Sequence, residues 1–533
     1  MNGFFRQSMA WLHTWLGLLF GWVLYFMFVT GTAGYLDTEI DRWMRPELPL
    51  AHYPIANQTL SQDSSVLRAQ AFLETRAANA QRWMVNLPVN RNDPFLFVTW
   101  RGARGQPAAA SGTAYLDPDS GRQLQTRETG GGQTLYQMHW RLHYLPALAS
   151  EWIVGIATLV MLIALVTGIV VHRKIFADFF TFRPGKAQRS WLDAHNIASV
   201  VTLPFQLMIT YSGLIFLMFS FMPLVAAAWY GPGERGQEAF LDDVFTPLAP
   251  IRAAGRPAPR LPLEQILQDA HRRWGTAPVA TLEIQNPADA HARINVVGDF
   301  AAGPVRATDI LVYDASGQWL TERHAWQSAS KGFRDLMLGL HEGIFAAPVL
   351  RALYVLSGIL GAVMIATGMV LWTVKRRQRA ERGRTEDHRG LRFVERMNVA
   401  VVIGLPVAIG VYFWANRLLP AGLGQRAEFE VHALFASWLA MFLHAWLRPS
   451  NRVWEEQSLV AAAAFGLLPC LNALTTDRHL LNALPAGDWV MAGFDLASLG
   501  AGCVFLGIAW AAKRGRGRSA SSADAVSGKR HPA

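Results

Sequence analysis

Histidine is the residue type whose placement in this chain asks for chemistry. His13 opens the apolar run "WLHTWLGLLFGWVLYFMFVTG" and stands eighteen residues before Gly31. His195 stands eighteen residues before Gly213, and the two runs end alike, in "MFVTG" and "MITYSG". Further along each copy comes a Leu-His pair, Leu142-His143 and then Leu340-His341, followed by an apolar run that closes on Thr167-Gly168 or Thr367-Gly368. An ionisable ring at membrane depth is costly and usually faces the interior of a bundle for a reason. Two imidazoles from facing helices are a natural axial pair for haem iron. Two such pairs, one near each face of a bilayer, make an electron path. The repeat assigns His13 to His195 and His143 to His341. His139 lies one helical turn before His143, and His172 closes a span beside Arg173 and Lys174; both are alternative ligands. A lone histidine at any of these places reads as an interfacial or capping residue, and only the repetition argues for more. Zinc or copper fits less well, because only His139 and His143 share a short ligand spacing. Trp11, Trp15, Trp22, Tyr25, Trp191 and Tyr211 surround these spans and can pack on a flat macrocycle, although aromatic residues are ordinary at membrane interfaces. His432 and His444 are twelve residues apart on one helix, too far to grip one ion.

The elements that carry these residues are membrane spans. Of 533 residues, 51% are hydrophobic and only 17% charged, and several apolar runs reach the roughly 20 residues that cross a bilayer. Eight spans are expected, at about 12–36, 150–172, 194–229, 349–374, 397–416, 430–447, 456–474 and 489–512. The third contains Pro204 and is expected to bend. The first is read as a retained helix rather than a signal peptide, because its apolar stretch is long and no small-residue cleavage site follows. Basic residues gather in 173–190, 375–396, 448–452 and at Lys513 and Arg514. Eight spans put all four groups on one side, so the positive-inside tendency makes both termini cytoplasmic. The net charge of +10 therefore needs no nucleic-acid partner; the expected surroundings are lipid. Cys470 and Cys503 both sit in apolar runs, which argues against a disulfide framework or a thiolate cluster.

Two longer polar segments, 37–149 and 230–348, then fall outside the membrane. They contain strand-like runs, "PFLFVTW" and "RINVVGD", and Ser-Gly turn signals in "YLDPDSGRQL" and "LVYDASGQWL", so each is expected to form a small α+β domain. The fold class is a mainly α membrane protein of eight spans with a parallel internal repeat in the first four. The first repeat is 1–174 and the second 175–376. A four-helix extension follows at 377–512, then a disordered cytoplasmic tail at 513–533. Because each copy carries an even number of spans, the copies relate by an axis along the membrane normal, and such an axis brings matched histidines face to face.

The stretch from "RLHYLPALASEWIVGIATLV" through "GIVVHRKIFADFFTFRPGKAQRSWLDAHN", together with "LHEGIFAAPVLRALYVLSGILGAVMIATGMVLWTVKRR", resembles the PepSY-associated transmembrane family, which includes inner-membrane ferric-siderophore reductases of Gram-negative bacteria. The resemblance covers about 1–376; the two Ser-Gly segments resemble the PepSY domain signature. It implies a multi-pass inner-membrane oxidoreductase with haem b, two per chain, that passes electrons from a cytoplasmic or quinol donor to a periplasmic ferric siderophore or other ferric chelate. By resemblance His13, His139, His143, His172, His195 and His341 match the family's histidine positions, and which of the six bind iron stays open. Trp43, Trp100, Trp140 and Trp319 are candidate chelate contacts, and Arg183 and Lys186 a candidate donor-docking loop. Two functions of other classes remain open: a sensor of a periplasmic partner in which the histidines are structural, and a ferric-chelate transporter.

Overall fold

The computed structural model describes residues 3–49, 58–103, 110–172, 183, 188–221, 223–245, 251–257, 260–275, 277–326, 328–381 and 388–527. Arg173, Lys174, Lys186, Arg382 and Arg384 lie outside the described residues. In chain order the elements are α1 (Gly3–Gly34), α2 (Asp37–Met44), α3 (Gln58–Arg76), β1 (Arg82–Asn86), β2 (Phe97–Arg101), β3 (Gly112–Tyr115), α4 (Gly131–Trp140), α5 (Ala147–Val171), α6 (Gln188–Val201) and α7 (Leu203–Phe216). Then come α8 (Met218–Phe221), α9 (Pro223–Tyr230), α10 (Glu234–Phe245), α11 (Leu263–Trp274), β4 (Val279–Gln285), β5 (Arg293–Gly298), β6 (Ile310–Asp314), β7 (Trp319–Arg323), α12 (Ala329–Glu342) and α13 (Pro348–Glu381). The extension adds α14 (His388–Val402), α15 (Gly404–Leu418), α16 (Arg426–Leu447), α17 (Ser450–Gly466), α18 (Leu468–Thr475), α19 (Leu480–Ala483) and α20 (Trp489–Ser527).

Two compact units result. One is helical and comprises 1–46, 127–214 and 352–533; the other comprises 47–126 and 215–351. Among the described residues, seven helices are long and apolar enough to cross a membrane. An eighth crossing arises if α6 and α7, bent by 67°, are taken as one span. The bend falls where Pro204, lacking an N–H, cannot continue the helical ladder. Pro406 and Pro469 sit just after similar breaks, between α14 and α15 and between α17 and α18. At the first of these, the carbonyl four residues before the proline, Val402 O, accepts instead from Tyr25 Oη at 2.9 Å.

Contacts within the helical unit define one basic end. Arg376 lies over Trp15 and Trp372 at 5.1 and 4.1 Å. Arg377 pairs with Glu395 at 2.6 Å, Arg396 lies over Trp446 at 5.9 Å, and Arg448 pairs with Glu456 at 2.5 Å. The start of α1, the end of α13, the start of α14 and the end of α16 therefore share this end.

At the opposite end the extension docks through a buried polar network. Arg426 and Glu430 form an ion pair with neither side chain exposed. Glu430 also accepts from Thr129 Oγ1 at 2.5 Å and Asn416 Nδ2 at 2.8 Å. Arg417 donates to Asn472 Oδ1 at 3.0 Å and to Trp43 O at 2.5 Å, Trp43 Nε1 donates to Asp495 at 3.0 Å, and Arg42 pairs with Asp488 at 3.0 Å. Paired in this way, these charges tolerate burial; losing any one partner would strand another.

In the second unit the two polar segments do not form separate α+β domains. They build one antiparallel seven-stranded sheet of order β3-β2-β1-β4-β5-β6-β7. β1 of the first repeat pairs with β4 of the second, Met84 opposite Glu283. The alternating residues Trp83, Val85, Val98, Leu282, Ile284, Ile294 and Val296 point to one face and are buried with Val66 and Leu73 of α3 and Ile266 and Leu267 of α11. Each such side chain contributes about 1.5–3 kcal/mol through burial, and joining the halves covers the edges that β1 and β4 would otherwise expose. Both expected turns form. Gly121 and Gly317 have φ of +71° and +84°, a region that favours glycine, and Asp117 and Asp314 accept from the following serine N–H groups at 2.7 and 2.9 Å.

Candidate cofactor site

His13 leaves α1 near its start and His195 leaves α6. Their rings meet with centroids 6.3 Å apart and planes at 71°. Each is held in the same way. His13 Nδ1 lies 2.9 Å from Ala164 O, and His195 Nδ1 lies 2.8 Å from Met364 O. Ala164 is four residues before Gly168, and Met364 four residues before Gly368. A Cβ at Gly168 would lie 3.3 Å from His13 Cε1, and one at Gly368 would lie 3.1 Å from His195 Cε1. The recurring Thr-Gly signature thus marks where a ring from the neighbouring helix leans in.

The hydrogen bonds fix the chemistry. A carbonyl oxygen only accepts, so Nδ1 carries the proton and the lone pair sits on Nε2, the tautomer a metal requires. Two imidazoles sharing one ion, at roughly 2 Å per metal–nitrogen bond, have ring centroids about 6 Å apart, which is the separation found. Both rings are only half-buried. His13 and His195 would hold one iron between them, with the donor type and spacing that such an ion would need.

The other expected pair is placed differently. α4 ends at Trp140, so His143 is not on a helix, and Tyr144 turns the chain with φ +65°. His143 Nε2 lies 3.5 Å from Glu428 and its ring stacks on Phe435 at 5.8 Å. Tyr144 Oη lies 2.6 Å from His432 Nδ1. His341 is inside α12 and belongs to the second unit, where Phe216 packs on it at 5.1 Å. The two Leu-His pairs thus occupy different local structures, and His143 is engaged by α16. His139 instead reproduces the pattern of the first pair. Its Nδ1 lies 2.7 Å from Met27 O, and a Cβ on Gly31 would lie 2.5 Å from that same nitrogen. Gly31, eighteen residues beyond His13, is the place where a histidine docks on α1.

Other candidates have structural settings. His172 caps α5, its backbone N–H bonded to Gly168 O. Trp43 is fully buried and stacks on Phe494 at 4.2 Å, within the helical unit rather than an outer domain. Trp100 packs on Phe72 at 6.3 Å; Trp140 and Trp319 are exposed, the latter under Arg273 at 4.5 Å. Arg183 is bound to Asp193 at 3.0 and 2.9 Å, which uses its charge locally. His444 pairs with Glu456 at 3.1 Å. Cys470 and Cys503 are free and exposed. Among the described residues, the group that could hold a metal through His, Cys, Asp and Glu alone is Asp309, Glu322 and His324 on the sheet unit, a cluster the sequence did not point to.

Taken together, the spans and the mixed α/β unit define a multi-pass membrane protein. The chain belongs to the PepSY-associated TM region family, whose model matches residues 10–375. No curated protein matches it. The family match runs from α1 to α13 and ends before α14, so the extension lies beyond it.

Proposed function

We propose that the protein is a transmembrane b-type haem electron carrier that reduces ferric chelates, ferric siderophores in particular, outside the bacterial inner membrane, with both termini cytoplasmic. The observation that carries the reading is the His13–His195 pair, 6.3 Å between centroids, each ring locked by a matched backbone carbonyl. Haem bound there supplies reversible one-electron storage. The chain's own part is to hold both rings in the ligating tautomer, to shield them with apolar helices, and to set a second site further along α1. His139 is the better candidate for that second site than His143, because its Nδ1 is held by a carbonyl in the same manner.

His139 also shortens the path. His13 and Met27 are fourteen residues apart on α1, about 21 Å at the helical rise and less than the roughly 30 Å hydrocarbon core. One electron converts Fe(III), held tightly by hard oxygen donors, to Fe(II), held weakly, and so frees the metal. The electron source in this proposal is a cytoplasmic or quinol donor.

The test is made on purified full-length protein. Pyridine haemochrome analysis should find two haems per chain. The reduced b-type bands should be reoxidised by a ferric hydroxamate, with Fe(II) appearing in a ferrozine trap. A colourless protein would overturn the proposal and favour a sensor role. Chelate uptake into proteoliposomes with no redox change would favour transport.

A further inference from the structure

Trp372 lies on α13 one turn beyond Gly368, the residue against which His195 leans. Its indole Nε1 is buried, and among the described residues nothing accepts its proton. Other indoles of the same unit do find an oxygen: Trp22 on Asn398, Trp43 on Asp495, Trp414 on Ala464 O and Trp438 on Ala400 O. A buried donor left unpaired is costly, so Trp372 Nε1 calls for an acceptor that the described residues do not supply. Arg376, one turn further on, lies 4.1 Å above the Trp372 ring and brings positive charge to the same place. The acceptor that suits an N–H beside a guanidinium is an anionic oxygen.

Symmetry says which anion. Residue 172, one turn beyond Gly168, is the first repeat's counterpart of Trp372, and it is a histidine. Each half therefore carries a ring with an N–H group one turn past its glycine, towards the basic end. A haem has an approximate two-fold axis of its own, running through the iron and between its two propionates. His13 and His195, held by carbonyls at matched positions of the two sequence copies, would approach an iron from opposite sides. A macrocycle between them, with its two-fold axis relating the copies, would turn one propionate towards each.

Resting on the haem reading above, we propose that Trp372 Nε1–H, with Arg376 beside it, binds a propionate carboxylate of the haem held by His13 and His195, and so fixes the propionate edge towards the basic end. Trp372 is a positioning residue; it does not touch the iron.

The experiment compares wild type with Trp372→Phe, which keeps an aromatic ring there and removes the N–H donor. Full-length protein made under haem limitation is loaded with haem or with haem dimethyl ester, whose propionates carry no charge. Transfer of the bound group to apomyoglobin is then timed. Trp372→Phe should release haem about tenfold faster than wild type and leave the ester's release unchanged. Trp372→His, which retains an N–H and copies the first repeat, should restore slow release. An equal acceleration with haem and with the ester would mean that Trp372 only packs, and would overturn the inference while leaving the haem reading standing. Unchanged release in Trp372→Phe would overturn it as well. Wild type that takes up no haem would instead remove the reading beneath it.

Discussion

At the basic end of the helical unit the two sequence copies do the same thing; at their Leu-His pairs they diverge. His13 and His195 take matched carbonyls four residues before matched glycines and face each other across 6.3 Å. In the first copy α4 stops at Trp140, whereas in the second α12, part of the sheet unit, runs on to Glu342. His143 consequently leaves the helix and is met by Glu428 and Phe435 of α16, whereas His139 stays on α4 and docks at Gly31. The difference teaches what duplication preserves. What both copies keep is a ring bonded to a carbonyl four residues before a Thr-Gly glycine. Where α16 of the extension meets His143, the first Leu-His pair has a setting that His341 does not share.

The largest effect expected is on the shared pair. His13→Ala or His195→Ala should each remove one haem per chain, read by haemochrome. At the far end His139→Ala should also lose a haem while His143→Ala keeps full content; loss in His143→Ala with retention in His139→Ala would reverse the assignment. Next comes the interface that broke the symmetry. Glu430→Ala leaves Arg426 charged and buried, a loss of about 3–5 kcal/mol, read as a large fall in the melting temperature of the full chain; Glu430→Gln should cost less. A smaller contrast separates the glycines. A methyl at Gly31 collides with His139 at 2.5 Å and should cost about 1–3 kcal/mol, with loss of haem at the far end. At Gly168 the contact is 3.3 Å, and Gly168→Ala should be milder.

The smallest effect lies in the sheet unit, where Asp93 of one repeat meets Asp299 of the other. Burial, and then the charge of Asp299, push the Asp93 carboxyl up to about 6. Between the ordinary value near 4 and 6, the folded chain binds more protons than the unfolded one. Stability therefore falls as pH rises through that window and is greatest below it. Asp93→Asn should raise the melting temperature at pH 7 more than at pH 5, by about 1–2 kcal/mol in stability. An equal change at both pH values would contradict the assignment.

Much of this arrangement was legible in the chain. The spans follow from apolar runs, the bend at Pro204 from its missing donor, and the two Ser-Gly turns from residues that favour a positive φ. The eighteen-residue interval from His13 to Gly31 was legible as a repeat, though its meaning was not, because sequence does not say that a third histidine approaches from another helix. The choice between His139 and His143 was hidden for a local reason. They are one turn apart on paper, and only the end of α4 at Trp140 and the left-handed Tyr144 separate them; "HYLP", with its proline, was the available hint. The fused sheet was not legible either, since pairing of β1 with β4 joins residues about two hundred positions apart. The Arg426–Glu430 network escaped for the same reason: i, i+4 charges on a helix read as a solvated face until Thr129 and Asn416 close over them.

The most direct test is the low-temperature electron paramagnetic resonance spectrum of the oxidised protein. Two axial imidazoles whose planes stand at 71° should give a low-spin ferric signal of large anisotropy that disappears in His195→Ala. A spectrum with no haem iron, or with only high-spin iron unaffected by that substitution, would contradict the claim that His13 and His195 clasp one iron between the repeats.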